Sequence, residues 1–338
     1  MRRLVLGALA AAVIGGTFAY VLPQVGDYGR AWHLVGTLSW SWIGILGGCA
    51  ILDLVTFAPP WQVALPGLRF WPAVGVTQAS TAASLIAPAG SAVGIGIAYQ
   101  LLRRRGFPRA ETGRAVSLTS LWNQLANLTY PIVAICLLSL SGHQTATLAP
   151  AAFFGAGLLA VLLVVGALVM GSSRLALVIG DRAARAANAV LELMRRSPVQ
   201  WNGLTFEHFR RDAVGLLRTR WLPLTVTTIV NGLATLLTLT AALRALGVSS
   251  SRVSFVEIFA AWALARFVSG IELTPGGFGV FELSLTAALV GFGGPGTAVV
   301  AAVLLYRALT VLPTLATGLL VVTTSHLRLR RAPALDRG

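Results

Sequence analysis

Among the charged residues inside the apolar segments of this sequence, five stand out as the side chains best suited to chemistry there. They are Asp53, Arg266, Glu272, Glu282 and Arg307. A charge in hydrocarbon is costly, so such side chains usually face a cavity or pair with one another. Opposite charges in one region predict pairing of Glu282 with Arg307. Arg266 would pair with Glu272 in the same way. Two interpretations stay open: the pairs only hold helices together, or they line a polar path for a charged group.

Proline and glycine interrupt two apolar segments close to these charges. Pro88 and Gly90 break the first segment, and Pro275, Gly276 and Gly277 break the second. Proline removes a helical hydrogen bond, and glycine permits a tight reversal. A helix that begins after such a break directs free N–H groups and a positive dipole end inward, which favours a bound phosphate or carboxylate. We therefore predict that both breaks contribute to a binding site for an anionic group.

Uncharged polar residues extend this candidate site. Asn123 and Asn127 lie four residues apart, on one face of a predicted helix, with Gln124 beside them. Hydrogen bonds between helices are the alternative explanation for that stripe. More hydroxyl and amide groups surround the first break: Gln78, Ser80, Thr81, Ser84 and Ser91.

Recognisable enzyme motifs are missing from the sequence. The four histidines are scattered, no zinc-ligand spacing occurs, and no phosphate-binding loop or nucleophile motif is present. We expect no cofactor and no metal. A membrane-embedded enzyme stays open as an alternative, because such sites can be assembled from distant helices.

The composition identifies the elements that must position these residues. Of 338 residues, 56% are hydrophobic and only 11% are charged, whereas soluble domains carry about 25% charged residues. The apolar runs have roughly the 20 residues that cross a bilayer as a helix. The sequence therefore predicts an all-α, polytopic membrane protein. Its 26 basic residues are all arginines, and they flank apolar spans without forming a nucleic-acid-binding motif, so we expect no nucleic-acid partner.

About six full spans and two broken, re-entrant helical hairpins are predicted. The hairpins cover about 73–102 and 253–292. The full spans cover about 4–22 (an uncleaved first helix), 31–58 (ending at Pro59-Pro60), 115–140, 151–171, 221–246 and 297–325. Broken backbone survives at membrane depth only where it is buried in protein or lines a wet cavity.

Arginine placement predicts the orientation. With a cytoplasmic N-terminus and two re-entrant hairpins, five segments fall inside and hold 21 of the 26 arginines, as the positive-inside rule requires. These segments are 1–3, 59–72, 103–114, 172–220 and 326–338. A rival arrangement has an external N-terminus and treats 73–102 as a full span. We favour the first, in the plasma membrane with both termini cytoplasmic.

The predicted organisation is one transmembrane domain, residues 1–330. Its first half is 1–171, its second half is 221–325, and a basic amphipathic cytoplasmic connector, 172–220, joins them; a basic tail follows at 326–338. Each half is predicted to consist of a span, a hairpin and a second span. The two halves cross the membrane in opposite directions. This is the inverted repeat of many transporters, which bind substrate where their broken helices meet.

Two motifs resemble signatures of a known family. The stretch from Ser84 to Gly94 is similar to the first signature of the lysylphosphatidylglycerol synthase membrane-domain family, although Val93–Ile95 stand where many relatives have an acidic residue. The stretch from Glu272 to Glu282, followed by Leu305-Tyr306-Arg307, resembles the second signature. Trp122–Asn127 is similar to a sequence variant that is common in actinobacterial members of this family. The resemblance covers about 84–320.

The resemblance implies a lipid flippase domain, known in relatives for moving aminoacylated phosphatidylglycerol between leaflets. The soluble aminoacyl-transferase domain of the synthases has no counterpart in this sequence, so we expect a stand-alone member without synthase activity. The leading hypothesis is a flippase-like translocator of a polar or anionic lipid head group. Its expected partners are anionic phospholipid, aminoacylated lipid or polyprenyl-phosphate lipid.

Two other hypotheses stay open. One is a non-transporting subunit that recruits a cell-envelope lipid enzyme through 172–220. The other is the membrane-embedded lipid-modifying enzyme. An envelope enzyme or a second copy of the chain would be the protein partner.

Overall fold

The computed structural model describes residues 35–87, 90–141, 203–270 and 275–331, with isolated positions between 157 and 188. Within these residues the chain is helical and contains no strand. Several predicted features lie outside the described residues: the span at 4–22, Pro88, Glu272, and most of the span at 151–171 and of the connector.

The helices are numbered here in chain order. They are α1 (Trp40–Thr56), α2 (Ala58–Ala64), α3 (Phe70–Ile86), α4 (Gly90–Arg104), α5 (Arg109–Leu140), α6 (Gly203–Ala245), α7 (Phe255–Ser269), α8 (Val280–Gly291) and α9 (Gly296–Arg331). A short turn, Pro275–Gly277, lies between α7 and α8.

Four helical stretches in the described part of the chain are long and apolar enough to cross a membrane. They are Trp40–Ala64, Arg109–Leu140, Arg210–Ala245 and Gly296–Val321. A helix satisfies all its backbone hydrogen bonds internally, which hydrocarbon requires. The chain is therefore a polytopic helical membrane protein, as its composition predicts.

One predicted boundary is wrong. The second span does not end at Pro59-Pro60, because α2 begins at Ala58 and holds both prolines in its first turn. Backbone N–H groups have no helical partner in a first turn, so proline costs nothing there. The helical path continues to Ala64.

The first broken segment forms a pair of packed helices, hairpin 1, made of α3 and α4. Residues 87–89 separate the two helices. Gly94 lies inside α4 and not in this break. A Cβ atom added at Gly94 would lie 2.0 Å from Ser84 Oγ and 2.8 Å from the Ser80 carbonyl oxygen. Glycine is therefore what allows these two helices to approach so closely.

The second broken segment also forms a packed pair, hairpin 2, made of α7, the turn at Pro275–Gly277 and α8. Gly276 and Gly277 take positive φ angles of 63° and 67° in the turn, which glycine adopts without steric cost. A Cβ atom added at Gly276 would lie 2.9 Å from the carbonyl oxygen of Leu85, near the end of α3. The tips of the two hairpins therefore touch.

The two hairpins start from different ends of the bundle. Near the start of α3, a Cβ added at Gly75 would lie 3.7 Å from an Arg105 guanidinium nitrogen, just after α4. Arg114 in α5 lies 3.6 Å from Asp212 in α6, so the first parts of α5 and α6 lie side by side. We call this the arginine-rich end, because α4 closes with Arg103-Arg104 and α5 opens with Arg109.

At the other end of α6, Arg244 donates a hydrogen bond of 2.9 Å to the Val253 carbonyl, just before α7. Gly293, just after α8, lies against the carbonyl oxygen of Arg252. Hairpin 2 therefore begins and ends at the opposite end from hairpin 1.

Packing between the halves has a paired pattern. Helices α1 and α6, which precede the two hairpins, pack together. Helix α9, which follows hairpin 2, packs on α3 of hairpin 1, and α5, which follows hairpin 1, packs on α7 of hairpin 2. If the first and second halves are interchanged, the contact of α9 with α3 corresponds to that of α5 with α7, and the contact of α1 with α6 corresponds to itself.

Candidate functional site

Two adjacent cavities lie around the touching hairpin tips. One has a volume of about 390 Å³ and the other of about 560 Å³. The smaller is lined mainly by hydroxyl and amide side chains, and we call it the hydroxyl compartment. The larger includes Asp53, Arg266 and Arg307, and we call it the charged compartment. Both are lined by Phe57, Thr81, Ser84, Ser91, Asn123 and Gln124, so the two cavities lie side by side.

The structure gathers most of the sequence-predicted site residues in the charged compartment. Seven of them line it: Gly90, Asn123, Asn127, Arg266, Gly276, Gly277 and Arg307. Pro275 begins the adjoining turn, and Glu282 lies behind Arg307. Pro88 and Glu272 fall outside the described residues.

The predicted pair of Glu282 and Arg307 is present. Arg307 Nε donates to Glu282 Oε1, and the Glu282 side chain is fully buried. The Arg307 guanidinium carbon also lies 4.7 Å from the Phe278 ring centroid and 5.0 Å from that of Phe281, a cation–π arrangement. Arg307 Nη2 is buried and has no hydrogen-bond partner among the described residues. Arg307 also lines the charged compartment, where its positive charge favours an anionic ligand.

Among the described residues Arg266 pairs with Asn127, while its predicted partner Glu272 lies outside them. Its Nε and Nη2 donate to Asn127 Oδ1 at 3.1 and 2.9 Å, and its guanidinium carbon lies 4.9 Å from the Trp262 ring centroid. Asn127 Nδ2 in turn donates to Gln124 Oε1 at 3.3 Å. This partner among the described residues is a neutral amide, and Arg266 also lines the charged compartment.

The start of α8 differs from the free helix end that the sequence suggests. The Gly279 N–H, at the N-cap of α8, donates to Glu282 Oε2 at 2.7 Å. The protein's own carboxylate thus occupies the position where an external anion was expected. In this part of the site the positive groups offered to a ligand are the two arginines.

Asp53 supplies a carboxylate to the charged compartment. It is 5% exposed, and it accepts a hydrogen bond of 2.5 Å from Thr235 Oγ1 in α6. Asn231 Nδ2 donates to Thr56 Oγ1 at 3.2 Å one turn away. These bonds join α1 to α6 across the wall of the cavity. With Asp53, Glu282, Arg266 and Arg307 all charged, the four formal charges cancel.

The hydroxyl compartment presents mainly hydrogen-bond acceptors. Five of its hydroxyl groups donate their proton to a backbone carbonyl of their own helix: Thr77, Ser80, Ser84, Thr119 and Thr228. A hydroxyl that donates in this way keeps only its lone pairs for a ligand. Trp61 and Phe57 add aromatic surface to the same wall.

Helix α6 supplies residues that the sequence analysis did not include. Thr228, Asn231 and Thr235 line the cavities at three- and four-residue spacing. Polar residues at that spacing within an apolar span share one face of a helix, so this polar face could have been predicted from the sequence. Tyr306, beside Arg307, also lines the charged compartment.

Metal binding finds no support in the described part of the chain, where no group of three or more His, Cys, Asp or Glu side chains could hold an ion.

The family comparison covers the whole candidate site. The profile of the family described as "Lysylphosphatidylglycerol synthase TM region" matches residues 5–318. Every residue that lines the two cavities falls within that range. Among curated proteins, no sequence matches this chain.

Proposed function

The chain belongs to the lysylphosphatidylglycerol synthase membrane-region family, and from that premise we propose that it moves a lipid head group between the leaflets of a membrane. The family assignment makes a membrane lipid-related role the starting point. The observation that carries the translocation proposal is the charged compartment, a polar space among apolar helices with two arginines beside it.

Head-group translocation has one main physical cost, and this cavity is suited to lowering it. A charged phosphate pays a large desolvation penalty in hydrocarbon. Arg266 and Arg307 both line the cavity and offer charge-assisted hydrogen bonds that replace water. Acyl chains can stay in lipid while the head group crosses through the polar space.

The arrangement of the broken helices supports the same proposal. We propose that both hairpins are re-entrant and that the halves form an inverted repeat, in which substrate binds where broken helices meet. The touching tips and the paired packing of the two halves are the supporting observations. The positive-inside rule supports a cytoplasmic location for the arginine-rich end.

The test compares two arginine variants in reconstituted vesicles that contain fluorescent phosphatidylglycerol. Arg266→Gln removes the charge from the cavity but keeps a donor for Asn127, so the fold should survive. Its exchange rate should fall at least about tenfold, the effect of losing one hydrogen bond to a charged group. Arg252→Gln is the matched control, because Arg252 is exposed at the end of the bundle.

Each other result has a definite meaning. Equal exchange by Arg266→Gln and Arg252→Gln would contradict the role of the charged compartment. Recovery of a covalently altered lipid would favour the embedded enzyme. Absence of exchange by the unmodified protein, for every anionic, aminoacylated and polyprenyl-phosphate lipid tried, would favour the non-transporting subunit.

A further inference from the structure

The hydroxyl compartment has a chemistry that differs from that of the charged compartment. No charged side chain lines it among the described residues. Its wall carries the five hydroxyl groups whose protons are already donated to backbone carbonyls, so their oxygens accept. Asn123 and Asn231 add amide groups to the same wall.

A phosphate does not suit this wall. A phosphodiester has only acceptor oxygens and a negative charge, and it would face mostly acceptor oxygens here. Arg266 and Arg307 lie in the adjoining compartment, where the phosphate finds donors and opposite charge.

An ammonium group does not suit the hydroxyl compartment either. It would lose its hydration without meeting a carboxylate, which is costly in a low-dielectric site. The carboxylate of Asp53 lies in the charged compartment, and one of its oxygens already accepts from Thr235.

A neutral group rich in O–H donors suits the hydroxyl compartment, because it supplies donors to the acceptor wall and carries no charge. Its hydroxyls donate to the acceptor wall, and its C–H faces can contact Trp61 and Phe57. The volume of about 390 Å³ lies within the usual range of small-molecule pockets, roughly 300–1,000 Å³. Because six residues line both compartments, the two lie within reach of one head group.

We propose that the hydroxyl compartment binds the polyol of a lipid head group while the charged compartment binds its phosphate. The preferred substrates are then lipids whose phosphate carries an unesterified glycerol, an inositol or a sugar, with no amine in the head group. This inference rests on the proposed translocation and specifies its substrate class.

The test measures head-group selectivity in reconstituted vesicles. Fluorescent phosphatidylinositol and phosphatidylglycerol are compared with phosphatidic acid, phosphatidylethanolamine and lysylphosphatidylglycerol. The two polyol lipids should exchange about tenfold faster than the other three. In the variant Thr119→Val with Thr228→Val, which keeps side-chain shape but removes two acceptors, the ratio of phosphatidylinositol to phosphatidic acid rates should fall close to one.

Thr129→Val is the matched control for this pair. Thr129 lies on the same helix as Thr119 and donates to the Leu125 carbonyl in the same way, but it lines neither cavity. Its selectivity ratio should equal that of the unmodified protein. Faster exchange of an amine-bearing lipid, or a ratio unchanged in the double variant, would overturn the inference.

A binding measurement separates this inference from the proposed translocation. Glycerophosphoinositol, a water-soluble head group, is titrated into the detergent-solubilised protein by calorimetry. Saturable binding that the double variant loses supports the polyol site even if no lipid exchange is found, in which case only translocation fails. Exchange without head-group selectivity and without this binding would refute the polyol site and leave translocation standing.

Discussion

The ion pair of Glu282 and Arg307 joins α8 to α9, and in our proposal it also contributes to lipid binding. Glu282 is fully buried, accepts from Arg307 and also accepts from the Gly279 N–H at the start of α8. Removing one member of a buried pair leaves an uncompensated charge, which typically costs about 3–5 kcal/mol. Removing both charges together is often close to neutral. Stability and transport can therefore be separated by mutation at this pair.

The variant Arg307→Met tests the contribution of this ion pair to stability and to lipid exchange. Thermal unfolding in detergent should show a loss of about 3–5 kcal/mol for this variant, and adding Glu282→Gln should restore most of it because glutamine still accepts from Gly279. Lipid exchange should stay low in the double variant, since the cationic donor is gone. A double variant that exchanges lipid at the original rate would show that the pair only holds helices together.

The helical elements show which features could be predicted from the sequence. Both breaks were predictable, because the effects of proline and glycine on the backbone are local. The pairing of Glu282 with Arg307 was predictable because opposite charges in neighbouring apolar segments tend to pair with each other. The bond from Arg266 to Asn127 was not, since the two residues are 139 positions apart and meet only through the packing of α5 on α7.

The approach of α3 to α4 gives a prediction for hairpin 1. Gly94→Ala places a Cβ atom against Ser84 and should destabilise the protein by about 1–3 kcal/mol. Gly96→Ala is the matched control in the same helix, where nothing lies within 4 Å of an added Cβ. That variant should be neutral or gain up to about 1 kcal/mol from helix propensity. Equal thermal stability of the two variants would contradict the close packing.

For the whole molecule, the path of the chain through the membrane is the feature to test. Hairpin 1 starts and ends at the arginine-rich end, and hairpin 2 starts and ends at the other. The rival arrangement, with 73–102 as a full span, would place the start of α3 and the end of α4 on opposite sides of the membrane.

Labelling of single cysteines tests this arrangement, after Cys49 and Cys136 have been replaced. Trp71→Cys and Arg104→Cys should be protected from an impermeant maleimide added outside cells, since both positions lie at the arginine-rich end. Arg252→Cys and Gly291→Cys should react. Reaction at position 71 together with protection at 104 would establish the full span and refute the re-entrant hairpin.

The charges of the candidate site are divided unevenly between the halves of the molecule. Among the described residues, the first half contributes Asp53, and the second contributes Arg266 with the Arg307–Glu282 pair. The two halves therefore face each other with formal charges of opposite sign. Any step that shifts one half against the other along the membrane normal carries charge through the electric field, at about 2.3 kcal/mol per elementary charge per 100 mV. The membrane potential would then favour one direction of that shift, even without an ion gradient or a nucleotide.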